Sequence, residues 1–503
     1  MLIKSIYKWI SFSRMKQLEL MQKYPMEYQN EQFVYLLSKG AGTEYGQKYR
    51  FSEIASYEDF TNQVPVVEYD DIKPYIKRMF EGEENVLWPG NVKWFAKSSG
   101  TTSDRSKFIP VTEESLKNTH YRGGKDIFAV YIDLNPDTNI FNGKALSIGG
   151  SNKINKLTGN SYYGDLSSIL IQNLPFWAEF KRTPSLETAL LDDWEEKLDK
   201  ITKEAVAENV TTVAGVPSWV LVVFNHILEY TGEKSLLEIW PEFELFIHGG
   251  VSFEPYKASY QKILPSPHVH YLETYNASEG FFAIQTSLLE NSMMLMLDYQ
   301  VFYEFLDFED YKKGNYANTI PLEGVEKHRN YVMIISTNGG LWRYIIGDTV
   351  EFTSLFPHKI RITGRTKYYI NVFGEELMED NVERALIDVS RMTGAIVREY
   401  TVAPVFMDDS NKQGAHEWVI EFEKEPPDLI EFMKMLDNEL KKVNSDYEAK
   451  RYKDMTLRQP IIHKVPSGTF HKWLAIKGKL GGQNKVPRLS QNRQIVEELL
   501  TIN

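Results

Sequence analysis

Ser98, Ser99, Gly100 and Thr101 are consecutive and are followed by Thr102, Ser103 and, a little further on, Lys107. A loop with so little side-chain bulk can aim backbone N–H groups and hydroxyls at phosphate oxygens, with Lys107 adding a compact positive charge. The P-loop spacing G-x-x-x-x-G-K-[ST] is absent, and so is G-x-G-x-x-G. Read alone, the segment is equally a solvated serine/threonine turn.

Three further clusters could handle a nucleotide. Glu273-Thr-Tyr-Asn-Ala-Ser-Glu-Gly280 follows an apolar run at 269–272. At such a strand end Glu279 could hold Mg2+, which binds through one or two carboxylates plus substrate phosphates, and Tyr275 could cover a base or a ring. His268 and His270 alternate on one strand face, but no third ligand lies in sequence reach, so they read as structural. In Leu341-Trp-Arg-Tyr-Ile-Ile-Gly-Asp348 the terminal Asp348 could accept both ribose hydroxyls, although a solitary Gly-Asp is also an ordinary turn. Near the end, Lys477-Gly-Lys-Leu-Gly-Gly-Gln-Asn-Lys-Val-Pro-Arg488 puts Lys485 on a glycine-rich loop. There it could neutralise charge developing on a phosphate, or simply remain part of a solvated basic tail.

These residues need a scaffold. Up to about residue 60 the pattern is helical, with apolar residues at mixed three- and four-residue spacing from Ile6 to Leu37. Beyond Val92, short apolar runs at 145–150, 211–217, 245–250 and 269–275 alternate with glycine-rich breaks, with a helix expected across 185–208. This predicts an α/β fold: sheets flanked by helices, with ligands at the loop ends of the strands. The pattern becomes β-rich from 331 to 353. A boundary is expected at Gly364-Arg-Thr-Lys367, dividing a domain of residues 1–363 from a small mobile α+β lid of residues 364–503. In the lid, strands are expected at 368–372, 396–406, 418–422 and 460–465, with helices at 376–392 and 428–443.

The 503 residues carry 57 basic and 69 acidic side chains, a net charge of −12, which argues against nucleic acid as a partner. With no cysteine, disulfides, zinc–thiolate sites and thiol nucleophiles are excluded, and a cytoplasmic location is the expectation. Lys4 and Lys8 interrupt the apolar N-terminus before it reaches signal-peptide length, and no membrane span is expected.

The order of the motifs says more than any one of them. Ser-Ser-Gly-Thr-Thr, then Tyr275-Asn-Ala-Ser-Glu-Gly280, Tyr344-Ile-Ile-Gly-Asp348, Gly364-Arg365 and Gln483-Asn-Lys-Val-Pro-Arg488 together resemble the adenylate-forming superfamily. Within it they resemble the Gretchen Hagen family of acyl acid amido synthetases, whose plant members conjugate auxin, jasmonate and benzoates to amino acids. The resemblance covers about residues 45 to 488 and is nearer the bacterial branch. It implies an ATP- and Mg2+-dependent ligase that adenylates a small carboxylic acid and passes the acyl group to an amine or amino acid.

Residue by residue, the resemblance places Ser98, Ser99, Gly100, Thr101 and Thr102 in the phosphate loop. Tyr275, Asn276, Ala277 and Ser278 fall in the ATP-binding motif. Glu279 matches the Mg2+/phosphate acid, Asp348 the ribose ligand, Arg365 the domain-boundary arginine and Lys485 the lysine that assists adenylation. Ser103-Asp104-Arg105 departs from the glycine- and proline-rich form of the loop, which bears on Lys107. Arg122 falls near a position with which the plant enzymes grip the acid, and is otherwise a surface helix arginine. Rotation of the lid about Gly364-Arg-Thr-Lys367 would bring Lys485 in. Two rivals share the fold: an acyl–coenzyme A ligase of the phenylacetate type and a catalytically silent nucleotide-binding protein.

Overall fold

The computed structural model describes residues 2–98, 107–148, 155–156, 161–174, 179–191, 193–250, 253, 256–366, 369–370, 377–405, 414–444, 447–448, 451, 457–479, 485–490 and 492–502. The chain forms two compact units. One comprises Met1–Val251 and Ile263–Ile362, the other Ser252–Lys262 and Thr363–Asn503.

The first unit opens with the expected helices, Leu2–Lys23 and Pro25–Gly40. Leu18, Phe33, Leu36 and Leu37 supply their buried faces. Gln29 is buried too, and its amide is fully used: Nε2 donates to the carbonyls of Leu297 and Val301, and Oε1 accepts from Tyr303 N. The second helix is thereby fixed to the strand Val301–Asp307, with no polar group left unsatisfied at the junction.

Among the described residues, twelve strands form one sheet. Its parallel part runs Arg182–Thr183, Lys144–Ser147, Val210–Gly215, Leu245–Gly249, His270–Ala277. Val210, Val213, Leu245, Phe246 and Leu272 are fully buried there, as expected of parallel strands covered on both faces. His270–Ala277 then turns back through a hairpin into Gly280–Gln285, and the sheet becomes antiparallel. It continues through Met293–Leu295, His358–Arg365, Tyr344–Leu355, Asn330–Thr337, Val301–Asp307 and Ile320–Pro321. The motif strand carrying Tyr275 thus lies where the sheet changes from parallel to antiparallel. A separate four-stranded sheet includes the antiparallel pair Trp94–Ser98 and Lys107–Val111.

The α/β class and the expected strands near 145, 211, 245 and 269 are present. The helix expected across 185–208 is broken in two. Ser185 caps Leu186–Ala189, and Asp193 starts Trp194–Val206 by accepting from Glu196 N at 2.8 Å. Two capping side chains outweigh the continuous apolar periodicity that runs through them. No helix among the described residues is long and apolar enough to cross a membrane.

In the second unit, Ile396–Val405 pairs antiparallel with Ala415–Lys424, which pairs in parallel with Ile461–Val465. Helices Glu379–Thr393 and Leu429–Val443 bury Val382, Leu386, Val389, Phe432, Leu436 and Leu440 in one core with Val402, Trp418 and Ile420. This smaller α+β body has the strand–helix order expected from the sequence.

Candidate active site

The pair Trp94–Ser98 and Lys107–Val111 places Ser98 directly opposite Lys107. The serine/threonine loop is therefore the connection closing an antiparallel hairpin, and both of its feet are fixed by strand pairing. Ser99, Gly100, Thr101 and Thr102 lie outside the described residues. At the foot, the Lys107 ammonium lies over the Tyr69 and Tyr344 rings, 5.5 and 5.9 Å from their centroids, and donates to Tyr344 Oη at 3.4 Å. Tyr69 Oη accepts from Phe108 N at 2.8 Å, so its ring is tied to the same strand.

Tyr344 brings the separate motifs together. It is fully buried, and burial pushes its phenol well above the usual range. Glu279, Tyr69, Glu68 and Asp348 push in the same direction, so the hydroxyl stays protonated. Lys107 is hydrogen-bonded to Tyr344, Asp348 lies four residues further along the Tyr344 strand and is hydrogen-bonded to Tyr275, and Glu279 sits in the turn that ends the Tyr275 strand, so the motifs form one neighbourhood.

Asp348, on Tyr344–Leu355, is 6% exposed and accepts from Tyr275 Oη at 2.6 Å. Tyr275 is itself buried, its ring 5.0 Å from that of Phe282, so what it gives the site is this hydrogen bond. Ser278 is buried, while Asn276, Ala277 and Glu279 are partly exposed at the hairpin tip. One partly exposed carboxylate, rather than a cage of several, suits Mg2+, which keeps waters and takes phosphate oxygens as its other ligands.

The strand bearing Tyr344 and Asp348 is held from behind. Gly340, at φ +87°, passes so close to Leu87 that a Cβ would lie 3.0 Å from its backbone. Arg343 adopts a left-handed φ of +46° without being glycine, a strain of about 1–3 kcal/mol. Its guanidinium is only 3% exposed and forks onto the fully buried Glu304 at 2.8 Å. It also donates to the Val64 carbonyl at 2.6 Å and to Thr319 Oγ1 at 2.5 Å. An over-determined buried arginine immediately before Tyr344 fixes where the strand begins. The sequence showed Arg343 and Tyr344 beside Asp348 without assigning them a role, and Tyr69 and Glu304 carried no local signal.

Arg122, at the start of the helix Tyr121–Leu134, is ion-paired to Asp298 and donates to its carbonyl at 2.9 Å. Asp298 also takes the Arg14 guanidinium at 2.7 Å, and Arg14 continues to Asp126 at 2.6 Å. His270 Nδ1 lies 2.7 Å from Tyr131 Oη and His268 is exposed, as fits structural histidines. In the second unit, Arg365 ends the strand His358–Arg365 and Lys485 directly precedes the buried Val486; both are partly exposed.

Three family profiles cover most of this framework: the GH3 family N-terminal domain at residues 14–269, its central domain at 294–365 and its C-terminal domain at 379–494. The chain belongs to the GH3 family. Lys107 lies in the GH3 N-terminal match, Tyr344, Asp348 and Arg365 in the central match, and Lys485 in the C-terminal match. Tyr275 and Glu279 fall between the first two. The indole-3-acetic acid-amido synthetase GH3.3 of Arabidopsis thaliana is 22% identical, over 92% of this chain and 89% of the relative. The solved GH3.15 acyl acid amido synthetase with bound 2,4-DB superimposes with a TM-score of 0.82 at 17% identity, covering 98% of this chain and 96% of that one. A 2-hydroxyisobutyryl-CoA ligase carrying an acyl-AMP gives 0.62 at 11% identity, over 94% and 90%. At these identities the two structures establish a shared fold.

Proposed function

We propose that this chain is an ATP-dependent acyl acid amido synthetase, which adenylates a small carboxylic acid and transfers the acyl group to an amine or amino acid. The observation that carries the reading is the single cluster of Lys107, Tyr344, Asp348 and the Glu279 turn, assembled on strand ends of a GH3 scaffold.

In the first step a carboxylate oxygen of the acid attacks the α-phosphorus of ATP; the new P–O bond forms as pyrophosphate leaves. In the second, the amine nitrogen attacks the acyl carbon, AMP departs with the pair of the broken C–O bond, and the nitrogen loses a proton. No protein nucleophile is needed, in keeping with a chain that has no cysteine. Asp348, with one oxygen held by Tyr275, accepts the ribose hydroxyls. The loop of Ser98, Ser99, Gly100, Thr101 and Thr102, with Lys107 at its foot, holds the phosphates. Asn276, Ala277 and Ser278 line the nucleotide, Arg365 binds it, and Arg122 is the candidate for the acid carboxylate. Mg2+, held by Glu279 and phosphate oxygens, would neutralise charge on the phosphates. Lys485 stabilises the charge that grows on the transferring phosphoryl group.

The test is acid-dependent ATP–pyrophosphate exchange over indole-3-acetate, benzoate, phenylacetate and octanoate. Exchange with one class establishes adenylation, and amide formation on adding amino acids establishes the acceptor. Turnover that instead needs coenzyme A would make the protein a thioester-forming ligase. ATP binding without exchange would leave a silent nucleotide binder.

A further inference from the structure

Lys485 is followed by a strap whose every residue is pinned. Val486 is buried. The Pro487 carbonyl accepts from Thr401 Oγ1 at 2.6 Å. The Arg488 carbonyl accepts from Val402 N, and Val402 O in turn accepts from Ser490 N, both at 2.9 Å. Leu489 is fully buried and bridges to Val402.

The Arg488 side chain is the unusual part. A guanidinium 9% exposed is expensive to bury unless it is paired and hydrogen-bonded, and here both terminal nitrogens have partners. It pairs with Glu399 at 2.6 Å and donates to Tyr256 Oη at 2.5 Å and to the Tyr400 carbonyl at 3.3 Å. It also lies 4.6 Å from the centroid of the Tyr400 ring. Tyr256 completes the triad by donating to Glu399 Oε1 at 3.4 Å. Its residue number is far from the rest of the triad: it arrives on Ser252–Lys262, the stretch of chain between Leu245–Gly249 and His270–Ala277 that belongs to the second unit. Ser259, on the same stretch, donates to Glu423 at 2.8 Å.

We propose that Arg488, clamped by Glu399 and Tyr256, is a positioning residue for Lys485: it sets where the lysine leaves the body of the second unit. The inference rests on the adenylation role of Lys485 given above. Arg488 lies only three positions beyond Lys485, within about 10 Å along even an extended chain, so a loosened clamp moves the lysine directly. Because the clamp acts only through Lys485, its loss should cost adenylation and leave aminolysis alone.

The experiment uses the full chain and the panel acid that supports exchange, with Lys485→Ala, Tyr256→Phe and Arg488→Lys alone and the latter two combined with Lys485→Ala. Tyr256→Phe removes one oxygen and keeps the ring, so it serves if Arg488→Lys does not fold. Each clamp variant is expected to slow pyrophosphate exchange about 10- to 100-fold, as a misplacement of about 1 Å can. The ATP KM and aminolysis of supplied acyl-adenylate should stay unchanged, and no further loss should appear once Lys485 is alanine. Full-rate exchange in the clamp variants, equal losses in exchange and aminolysis, or multiplying losses in the doubles would each overturn the clamp while leaving the lysine's role intact. Undiminished exchange in Lys485→Ala, or exchange with no acid at all, would overturn the reading beneath it and the clamp with it.

Discussion

Tyr275 and Asp348 are 73 residues apart in sequence and meet at 2.6 Å, phenol to carboxylate. The contact ties the strand at the parallel–antiparallel switch to the strand that begins at Tyr344, and it orients the carboxylate before any ligand arrives. One Asp348 oxygen is thereby committed to Tyr275.

Tyr275→Phe removes that restraint and leaves the ring packing on Phe282. A hydrogen bond to a charged group contributes about 1.5–3 kcal/mol. The ATP KM should therefore rise about tenfold or more, with a smaller change in kcat. An unaltered ATP KM in steady-state kinetics would show that Asp348 does not bind the nucleotide through this geometry.

Lys107→Ala should lower pyrophosphate exchange more than Tyr344→Phe does, because the first removes a charge at the phosphate loop and the second only its hydrogen-bond partner. A loss of about 100- to 1000-fold is expected for the lysine, in the range of one missing electrostatic stabiliser. Equal effects of the two variants would place Lys107 in a structural role at the hairpin foot.

Breaking the Arg343–Glu304 pair from one side should destabilise the first unit by about 3–5 kcal/mol, since it strands a charge at 0–3% exposure. Glu304→Leu with Arg343→Met should regain much of that loss. Urea unfolding of the two single variants and the double checks both statements, and a single variant as stable as the parent would refute them.

Burial holds the imidazoles of His120 and His358 down to about 4, both in the first unit. Unfolded, each would titrate near 6.5, so between these values the unfolded chain binds more protons and stability rises with pH. Stability is thus complete above about pH 7 and is lost as pH falls from about 6.5 to 4, by roughly 3 kcal/mol per histidine. Denaturant midpoints at pH 8, 6 and 4.5 should fall in that order, and less steeply for His358→Gln. Level midpoints across that range would mean the rings are hydrated.

Much of the scaffold was legible because its signals are local. Continuous apolar runs marked Val210–Gly215, Leu245–Gly249 and His270–Ala277, and the strand–helix alternation expected after residue 376 matches Glu379–Thr393, Ile396–Val405, Ala415–Lys424, Leu429–Val443 and Ile461–Val465. Capping split 185–208, because Ser185 and Asp193 satisfy helix N-termini that periodicity does not see. For the site, motif order pointed to Tyr275, Glu279 and Asp348 as candidates, but the Tyr275–Asp348 contact depends on strand neighbours distant in sequence. Tyr69 and Glu304 act only across such pairings. A left-handed backbone at an arginine, as at Arg343, runs against that residue's own preference, so no propensity could announce it.

The second unit is discontinuous: the chain crosses between the units at 251/252, 262/263 and 362/363. A fragment starting at residue 363 would lack Tyr256 and Ser259, leaving the buried Arg488 short of a partner and Glu423 without its donor. The C-terminal body is therefore not a portable C-terminal module. Recombination between relatives that exchanges it alone, without the short insert carried by the N-terminal sequence, should yield chimeras that fold poorly, so the two stretches are expected to be inherited together.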